Sequence, residues 1–408
     1  MTIFAGVLIK WNKVTYMVET QKIPHLMKYM GSKREILDFI MGSINLLDID
    51  SEWFCDLFAG TSVVGCSLKD EYNLQINDIQ SYTSIFANTY LLNLRETINP
   101  SCINEIHERV ECLVNEFHQK YPDLQFDYNR DDDFSIIEKL EQEQQKLIDH
   151  NFDIGFNLFT KYYSGTYWSF NQCVWFDSIR AVAEEYKGKA EFYVIMSSLI
   201  FAMSYTSQGT GHFAQFRDMN ESNMNDILIY RHKEVWSLFE RKFMELTEVL
   251  DITPNHEYRV STLDYPDCLR IIEPNTIVYA DPPYSSVHYS RFYHAIETLV
   301  KYDYPTIKYK GRYREDRHQS PFGKRTEVNN AFRVLFENVK ARDSHIILSY
   351  SDNGMISEDE ILKIGNSIFG NSYQNEVWTK EHIHSKMGRS DEHNMDVNEL
   401  IISYKKMR

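Results

Sequence analysis

Four consecutive residues combine a carboxylate, two prolines and an aromatic ring directly after an apolar stretch. Asp281, Pro282, Pro283 and Tyr284 follow the apolar residues 276–280. Proline fixes φ, donates no backbone hydrogen and favours extended geometry at the preceding residue, so the carbonyl groups of this turn are available as acceptors. A planar molecule with an exocyclic amine suits the turn, because its ring can stack on Tyr284 while its amine donates to Asp281 and the Pro282 carbonyl. The alternative interpretation is an ordinary proline-rich turn after a strand.

A second chemical pattern, FCDLFAGTS, occupies residues 54–62. A strand that ends at Asp56 and turns at Gly60 lets the backbone approach a ligand closely. Asp78 follows about twenty residues later, where nucleotide-binding folds place an acidic residue at the ribose hydroxyls. The loop lacks G-x-G-x-x-G spacing, which disfavours nicotinamide and flavin cofactors and favours one without phosphates, such as S-adenosylmethionine. An ordinary strand-to-helix turn is the alternative interpretation.

A third pattern, KYMGSK, occupies residues 28–33 and precedes the first predicted strand. Lysine and aromatic side chains around a glycine turn suit the carboxylate and ammonium groups of an amino-acid-like tail. By itself, the same segment is also typical of a solvated helix start.

Strand and helix patterns place these three segments in one α/β domain. Short apolar stretches predict strands over residues 53–58 and 74–76 around a helix over 62–69, the β-loop-α-β opening of an α/β sheet. Helical periodicity dominates from about residue 100 to 250. Later strands are predicted over residues 258–260, 276–280, 346–349 and 399–404. We therefore expect an N-terminal extension (1–20), a domain that carries the three motifs (21–98 and 255–408) and a helical insertion (99–254).

The composition is that of a globular protein with an acidic surface. The 408 residues are 43% hydrophobic and 25% charged, with a formal net charge of -16. A negative average does not exclude a polyanionic partner, since phosphate binding needs only a local basic surface. Residues 101–153 carry fourteen acidic against five basic residues, whereas residues 301–350 carry eleven basic against six acidic residues. The second segment is therefore where we expect contact with a polyanion.

The six cysteines lie far apart and form no C-x-x-C pair, which predicts reduced, mostly buried thiols of a cytoplasmic protein without zinc or disulfides. The first residues lack the features of a signal peptide, and no stretch reaches the ~18 apolar residues of a membrane span. The histidines show no metal-ligand spacing, so we assign no metal site.

The order of the motifs, KYMGSK, DLFAGTS, an acidic residue and then DPPY, resembles the Dam-like (D12 class) N6-adenine-specific DNA methyltransferases, in the motif order of their α group. The resemblance implies a Rossmann-like, S-adenosylmethionine-dependent methyltransferase sheet with a large, mainly helical insertion that serves as target-recognition domain. It implies methyl transfer to N6 of an adenine flipped out of double-stranded DNA. A cognate restriction endonuclease or another defence-system protein is a second candidate partner, and no membrane partner is expected.

The resemblance also assigns roles to individual residues. Tyr29 and Lys33 would hold the methionine tail of the cofactor, and Asp264, a looser match, would lie near its adenine. The other cofactor residues would be Asp56, Phe58, Gly60 and Asp78, with Asp78 at the ribose. The catalytic residues would be Asp281, Pro282, Pro283 and Tyr284. Ser62 departs from the family pattern, because many members carry glycine there, and this leaves the path of the loop open.

Adenine N6 is a poor nucleophile because its lone pair is delocalised into the ring. Asp281 and the Pro282 carbonyl can draw the amine towards tetrahedral geometry and stabilise positive charge, so that the methyl group transfers by direct displacement. Cytosine-5 methylation needs a thiolate, usually from a Pro-Cys pair, and no Pro-Cys occurs in the sequence. Two alternatives stay open: methylation of an amine in RNA or protein, and a catalytically idle regulator that binds the cofactor or DNA.

Contacts to DNA are expected in two parts of the sequence. Residues 161–180 and 205–217 crowd aromatic, amide and arginine side chains, which can read bases or equally form the core of a second lobe. The basic segment is the stronger candidate for phosphate contacts, with a solvated loop as its alternative. The residues predicted to bind DNA there are Lys308, Lys310, Arg312, Arg314, Arg317, Lys324 and Arg325.

Overall fold

An eight-stranded sheet organises the chain. The computed structural model describes residues 8–10, 23–91, 98–129, 131–209, 212–249, 256–286, 288–383 and 396–407. The strands in these ranges are β1 (Leu8–Lys10), β2 (Trp53–Asp56), β3 (Asn73–Asn77), β4 (Tyr258–Ser261), β5 (Ile277–Ala280), β6 (Ile307–Lys308), β7 (Tyr313–Arg314), β8 (His345–Ser351), β9 (Tyr373–Ile383) and β10 (Asp396–Lys406).

Helices cover most of the remaining described chain. They are α1 (Leu37–Leu46), α2 (Val63–Ser67), α3 (Ser81–Leu91), α4 (Cys102–Lys120), α5 (Phe134–Gln145), α6 (Leu158–Tyr163), α7 (Phe170–Glu185), α8 (Ala190–Thr206), α9 (Met224–Arg231), α10 (Val235–Val249), α11 (Tyr265–Ile271), α12 (Tyr289–Phe292), α13 (His294–Lys301), α14 (Val328–Ala341) and α15 (Glu358–Phe369). A 3-10 turn, Lys33–Ile36, leads into α1.

The order of strands across the sheet is β1-β9-β10-β8-β5-β2-β3-β4. The five strands from β8 to β4 run parallel to one another, whereas β10 is antiparallel to both β8 and β9. This arrangement confirms the expected Rossmann-like α/β sheet. Because β2, β3 and β5 are parallel neighbours, their carboxyl ends share one edge of the sheet.

Both faces of the sheet are covered. Successive side chains of a strand point to opposite faces, and the residues of β5 and β8 are buried throughout because helices pack on each side. Phe54 and Tyr279 belong to the core on one face, which includes α1, α3, α4, α6, α7, α8, α10 and α13. Cys55 and Val278 belong to the core on the other face, with α11, α14 and α15.

The predicted helical insertion consists of α4 to α10. Its central helix is α8, which is apolar on nearly all sides and is therefore enclosed by others. It packs against α3, α7 and α10, and Thr89 of α3 lies 2.7 Å from the hydroxyl of Ser197. The division into domains stays a prediction, because the connections at residues 92–97 and 250–255 lie outside the described ranges.

Some strands of the structure were not predicted from the sequence. β9 and the short β6–β7 hairpin were not predicted, and Leu8–Lys10 within the expected N-terminal extension pairs in parallel with β9. Most of that extension lies outside the described residues.

All six cysteines carry free thiols, four of them buried. None of the helices in the described ranges has the length and apolarity needed to cross a bilayer.

A buried ion pair joins α5 and α9. Both Nε and one terminal nitrogen of Arg231 donate to the carboxylate of Glu141, at 2.7 and 2.8 Å. The arginine side chain is fully enclosed, and it also donates to the carbonyl of Thr166. Tyr128 donates a further hydrogen bond to the same carboxylate. Removing one partner therefore leaves an uncompensated charge in the interior.

Replacing this arginine should destabilise the helical region. We expect Arg231→Met to lower the free energy of unfolding by about 3–5 kcal/mol, because Glu141 stays buried without its partner. Urea unfolding followed by circular dichroism measures the change. The matched control is Arg109→Met, which removes an arginine from the exposed pair with Glu185 and should barely move the unfolding midpoint. Equal effects of the two substitutions would contradict the proposed importance of the buried pair.

Candidate functional site

A pocket that is open to solvent lies where the carboxyl ends of β2, β3 and β5 meet. In α/β sheets, small-molecule sites lie at this edge. Eleven residues predicted from the sequence to bind cofactor or to act in catalysis line it: Tyr29, Lys33, Asp56, Phe58, Gly60, Asp78, Asp264, Asp281, Pro282, Pro283 and Tyr284. The fold thus brings three distant motifs into one cavity.

The loop after β2 is tied to both neighbouring strands. The backbone N–H groups of Leu57 and Ala59 donate to carbonyls of β5 and β3, at 3.0 and 2.9 Å. Gly60 then has a left-handed φ of 53°, and a Cβ there would lie 3.2 Å from the ring of Tyr29. Glycine alone adopts this φ readily without adding atoms to the pocket wall. The backbone conformation and the close contact with Tyr29 therefore explain why the second motif has glycine at position 60.

Ser62 follows the same loop path that a glycine would favour. Its φ of 59° and ψ of 19° lie in the left-handed region, directly before α2. A residue with a Cβ loses about 1–2 kcal/mol in that region. The turn forms nevertheless, since the Ser62 N–H bonds to the Ala59 carbonyl at 2.6 Å. The departure from the family pattern thus leaves the turn itself in place.

Two buried carboxylates lie on either side of this loop. Asp56 accepts the N–H of Gly65 at 2.8 Å, and burial raises its pKa to about 7 although that hydrogen bond opposes the rise. Asp78 accepts the N–H groups of Gly60 and Gln80, both at 2.9 Å. Burial raises the pKa of Asp78 to about 6 against these two donors. Both groups are held by backbone donors, so their positions are fixed before any ligand arrives.

Aromatic rings form part of the pocket wall. Tyr29 stacks on Tyr293 and Tyr289, with ring centroids 4.6 and 5.6 Å apart, and its hydroxyl lies 3.4 Å from that of Tyr82. Phe58 packs against Phe322 and Tyr265. Tyr29, Tyr289 and Phe58 line the pocket, so flat apolar surfaces form part of its wall.

Asp264 has a structural partner as well as a place in the pocket wall. It caps the N-terminus of α11, and its side chain accepts the N–H of Tyr265 at 2.8 Å. Its second carboxylate oxygen has no such role in the cap. The loose sequence match thus corresponds to a residue that lines the cavity.

Lys33 lies between two carboxylates rather than in open space. Its Nζ is 3.1 Å from Oδ1 of Asp281 and 2.6 Å from Oε1 of Glu399, and its side chain is only 8% exposed. The ammonium donates a hydrogen bond to Glu399, whereas its contact with Oδ1 of Asp281 is an ion pair without hydrogen-bond geometry. The Lys33 ammonium also lies 5.5 Å from the centroid of the Tyr284 ring. The contact between Lys33 and a cofactor tail stays a prediction.

Asp281 and Tyr284 follow β5 at the rim of the pocket. The carboxylate of Asp281 is 17% exposed. Burial raises its pKa to about 7, against the ammonium of Lys33 and with a further contribution from the negative charge of Glu399. The Tyr284 ring stands edge-on to Tyr350, with centroids 5.9 Å apart, and it is partly exposed on the cavity side. A flat ligand can reach both groups from the pocket.

Glu399 is a residue of the site that the motifs did not reveal. It lies in β10, its side chain is 1% exposed, and Ser349 of β8 donates to the same oxygen that binds Lys33. The signal in the sequence was a single carboxylate at the start of an apolar strand. Glutamate is almost never fully buried unless it is paired. The partner that makes the burial of Glu399 possible is Lys33, which is distant in the sequence.

The aromatic segments expected to read bases lie mainly in the core. Tyr163, Tyr167 and Trp168 are fully buried, and residues 161–180 form the end of α6 and most of α7. The second segment, 205–217, is described except for residues 210 and 211. Phe213 within it is also buried. These rings therefore correspond to the alternative interpretation, the core of a helical lobe.

The basic segment is divided between surface and interior. Arg314 is corrected as a phosphate contact: its side chain is 2% exposed and its guanidinium binds the carboxylates of Asp303 and Asp316. Arg312 is mostly covered and donates to the Tyr162 carbonyl. The remaining five members keep exposed or half-exposed side chains: Lys308, Lys310, Arg317, Lys324 and Arg325. None of the seven lines the pocket.

Sequence comparison identifies several relatives of this chain. The modification methylase LlaI of Lactococcus lactis subsp. lactis is 25% identical over 338 residues, which cover 83% of this chain and 48% of that protein. The type II methyltransferase M.FokI of Planomicrobium okeanokoites is 28% identical over 351 residues, 83% of this chain and 46% of that protein. The type II methyltransferase M.NlaIII of Neisseria lactamica is 22% identical over 342 residues, 83% of this chain and 87% of that protein.

The chain spans about half the length of the LlaI and FokI methylases. A family model covers most of it: the model of the D12 class N6 adenine-specific DNA methyltransferases matches residues 29–349. That range includes KYMGSK almost from its start, the glycine loop and DPPY, and thus every motif that meets in the pocket. The chain belongs to the D12 class of N6 adenine-specific DNA methyltransferases.

Proposed function

We propose that this chain transfers a methyl group from S-adenosylmethionine to N6 of an adenine at a specific sequence in double-stranded DNA. The observation that carries the proposal is the single pocket in which the glycine loop after β2 and the acceptors after β5 face one another. Family membership supports the same reaction. Because the LlaI and FokI relatives are modification or type II methyltransferases by name, we propose a cognate restriction endonuclease as a second partner.

The residues present suit S-adenosylmethionine. Gly60 lets the Tyr29 ring pack closely against the loop, since a Cβ there would lie 3.2 Å from that ring, and the loop residues 57–61 line the pocket that an adenosyl group would enter. Asp78 would accept from ribose hydroxyls, while Asp56 and Asp264 add negative charge beside a cationic ligand, with Phe58 as an apolar wall. When bound, the cofactor would supply an electrophilic methyl group on a sulfonium.

Asp281 and Tyr284 would act on the adenine. The ionised Asp281 carboxylate and the Pro282 carbonyl accept from the exocyclic amine, which concentrates its lone pair on nitrogen, and Asp281 takes up the proton that the amine releases. Tyr284 offers its ring as a stacking partner for an adenine that has left the duplex. Leaving the stack costs a few kcal/mol, which this stacking partly offsets.

Methyl transfer from labelled cofactor tests the proposal. DNA should become labelled at N6 of adenine, and Asp281→Asn should reduce the rate by about 10²–10⁴-fold, because the amide cannot take the proton. Tyr284→Ala should reduce it less. The matched control is Asp267→Asn, which changes an exposed carboxylate on α11 that does not line the pocket. Labelling of RNA or protein but not DNA would contradict the substrate, and cofactor binding without any transfer would indicate an idle regulator.

We further propose the β6–β7 hairpin as a contact to the DNA backbone. Tyr309 at its tip is 77% exposed, and the neighbouring Lys308 and Lys310 extend into solvent. These lysines pair with Glu315 and Asp218 on the surface, where ion pairs are weak and a phosphate can replace the carboxylate. Lys324, Arg317 and Arg325 continue the basic surface after the hairpin.

The double substitution Lys308→Gln/Lys310→Gln should weaken DNA binding at low salt by about tenfold or more. The slope of log K against log salt should fall by about 2, since each lost phosphate contact accounts for about 0.9. Fluorescence anisotropy at several salt concentrations measures both effects, and cofactor affinity should stay unchanged. Arg109→Gln, an exposed arginine on the acidic α4, is the control. An unchanged slope would remove the hairpin from the interface.

A further inference from the structure

Glu399 occupies a position that the proposed reaction does not yet use. It lies on β10, a strand next to β8 but not next to β5, and its Oε1 accepts from Lys33 at 2.6 Å. Asp281 on the loop after β5 lies on the other side of the same ammonium, at 3.1 Å. The shorter of the two contacts thus goes to the carboxylate that is farther from the cavity and only 1% exposed.

Two carboxylates that share one ammonium repel each other, and this repulsion destabilises the folded protein. A buried carboxylate requires a charged or hydrogen-bonding partner, and Lys33 could satisfy Asp281 alone. Instead, Oε1 of Glu399 also accepts from the Lys33 ammonium, and the Ser349 hydroxyl donates to that same oxygen. Three charges in contact leave a net negative charge beside the cavity. An apolar residue at Glu399 would have avoided both the burial and the repulsion.

We propose that Glu399 is a positioning residue: it holds Lys33 beside Asp281 and, by competing for the ammonium, keeps Asp281 basic enough to take the proton from the adenine amine. The inference rests on the proposed function for its chemical meaning, but the arrangement of charges exists without any substrate. Glu399 itself need not touch the substrate.

The proton step requires a carboxylate of intermediate basicity. When the amine lone pair forms the new N–C bond, the C–S bonding pair stays on sulfur and the amine nitrogen carries a positive charge and one proton too many. That proton passes to Asp281, which becomes a neutral carboxylic acid, and the product is a neutral secondary amine. A base works best when its pKa lies near the operating pH, and the pKa of Asp281 is raised to about 7.

Asp281 faces charged or titratable groups from several elements. They are Lys33 on the 3-10 turn, Glu399 on β10, Tyr279 on β5, Tyr284 on its own loop, Tyr289 on α12 and Asp56 on β2. Among them only Lys33 lowers the pKa of Asp281, while Glu399 raises it by direct repulsion. Exchanging Glu399 for a neutral residue therefore removes a repulsion and also leaves Lys33 to Asp281 alone. Both changes act in the same direction.

Glu399→Gln tests the inference, since glutamine keeps the size and one acceptor but loses the charge. We expect the acid limb of the pH profile of kcat/KM, where activity is lost as Asp281 becomes protonated, to move down by about half to one pH unit. The maximal rate should fall severalfold because the base is weaker. Cofactor affinity should stay within about twofold of the wild type.

A second readout needs neither cofactor nor activity. The carboxyl carbon of Asp281 can be titrated by NMR in cofactor-free protein labelled with [13C]aspartate, with Asp281→Asn to assign its signal. Its midpoint should fall in Glu399→Gln and should not move in Glu376→Gln, the control on the adjacent β9. If the wild type fails to methylate DNA, the proposed function fails while this titration still decides whether Glu399 tunes Asp281.

Ser349→Ala supplies a variant with the opposite expected sign. Without the hydroxyl donor, Glu399 binds Lys33 more strongly, so that Asp281 is less neutralised and its titration moves up. This smaller change also decides the question if Glu399→Gln does not fold. Opposite shifts in the two variants support the inference. Shifts in the same direction, or no shift in either, would show that Glu399 only fills the core.

Discussion

One buried ammonium between two carboxylates is the interaction on which the site depends. Lys33 and Glu399 are 366 positions apart, and Asp281 comes from the strand at the middle of the sheet. Neighbouring buried carboxylates cannot both ionise without a cation. Asp281 therefore depends on Lys33 for its negative charge, while Glu399 competes for the same ammonium.

The rest of the pocket follows from the direction of the strands. Three parallel neighbours end at one edge, so loops that are distant in sequence open towards a common space. Gly60 lets the loop pack against the ring of Tyr29, which is itself stacked on Tyr289 and Tyr293. Several carboxylates in this space have raised pKa values because of burial. Such a pocket favours ligands that bring positive charge and hydrogen-bond donors.

Motifs at strand ends were predictable from the sequence because their geometry is local. The turn at Gly60 and the proline-fixed exit at Asp281 depend on a few adjacent residues, and eleven predicted residues meet in one pocket. Glu399 was not predictable, since its partner is set by the pairing of β10 with β8. The burial of Arg314 was hidden for a similar reason: counting charges along a segment does not show that Asp303 and Asp316 enclose its guanidinium.

The most direct test of the account is the structure of this chain bound to DNA that carries its target adenine, with a non-reactive cofactor analogue in the pocket. We expect the exocyclic nitrogen of the adenine at about 2.7–3.2 Å from an Asp281 carboxylate oxygen, with its ring against Tyr284 and with Lys33 still bound to Glu399. An adenine that stays in the duplex, or an amine that binds away from Asp281, would contradict the central claim.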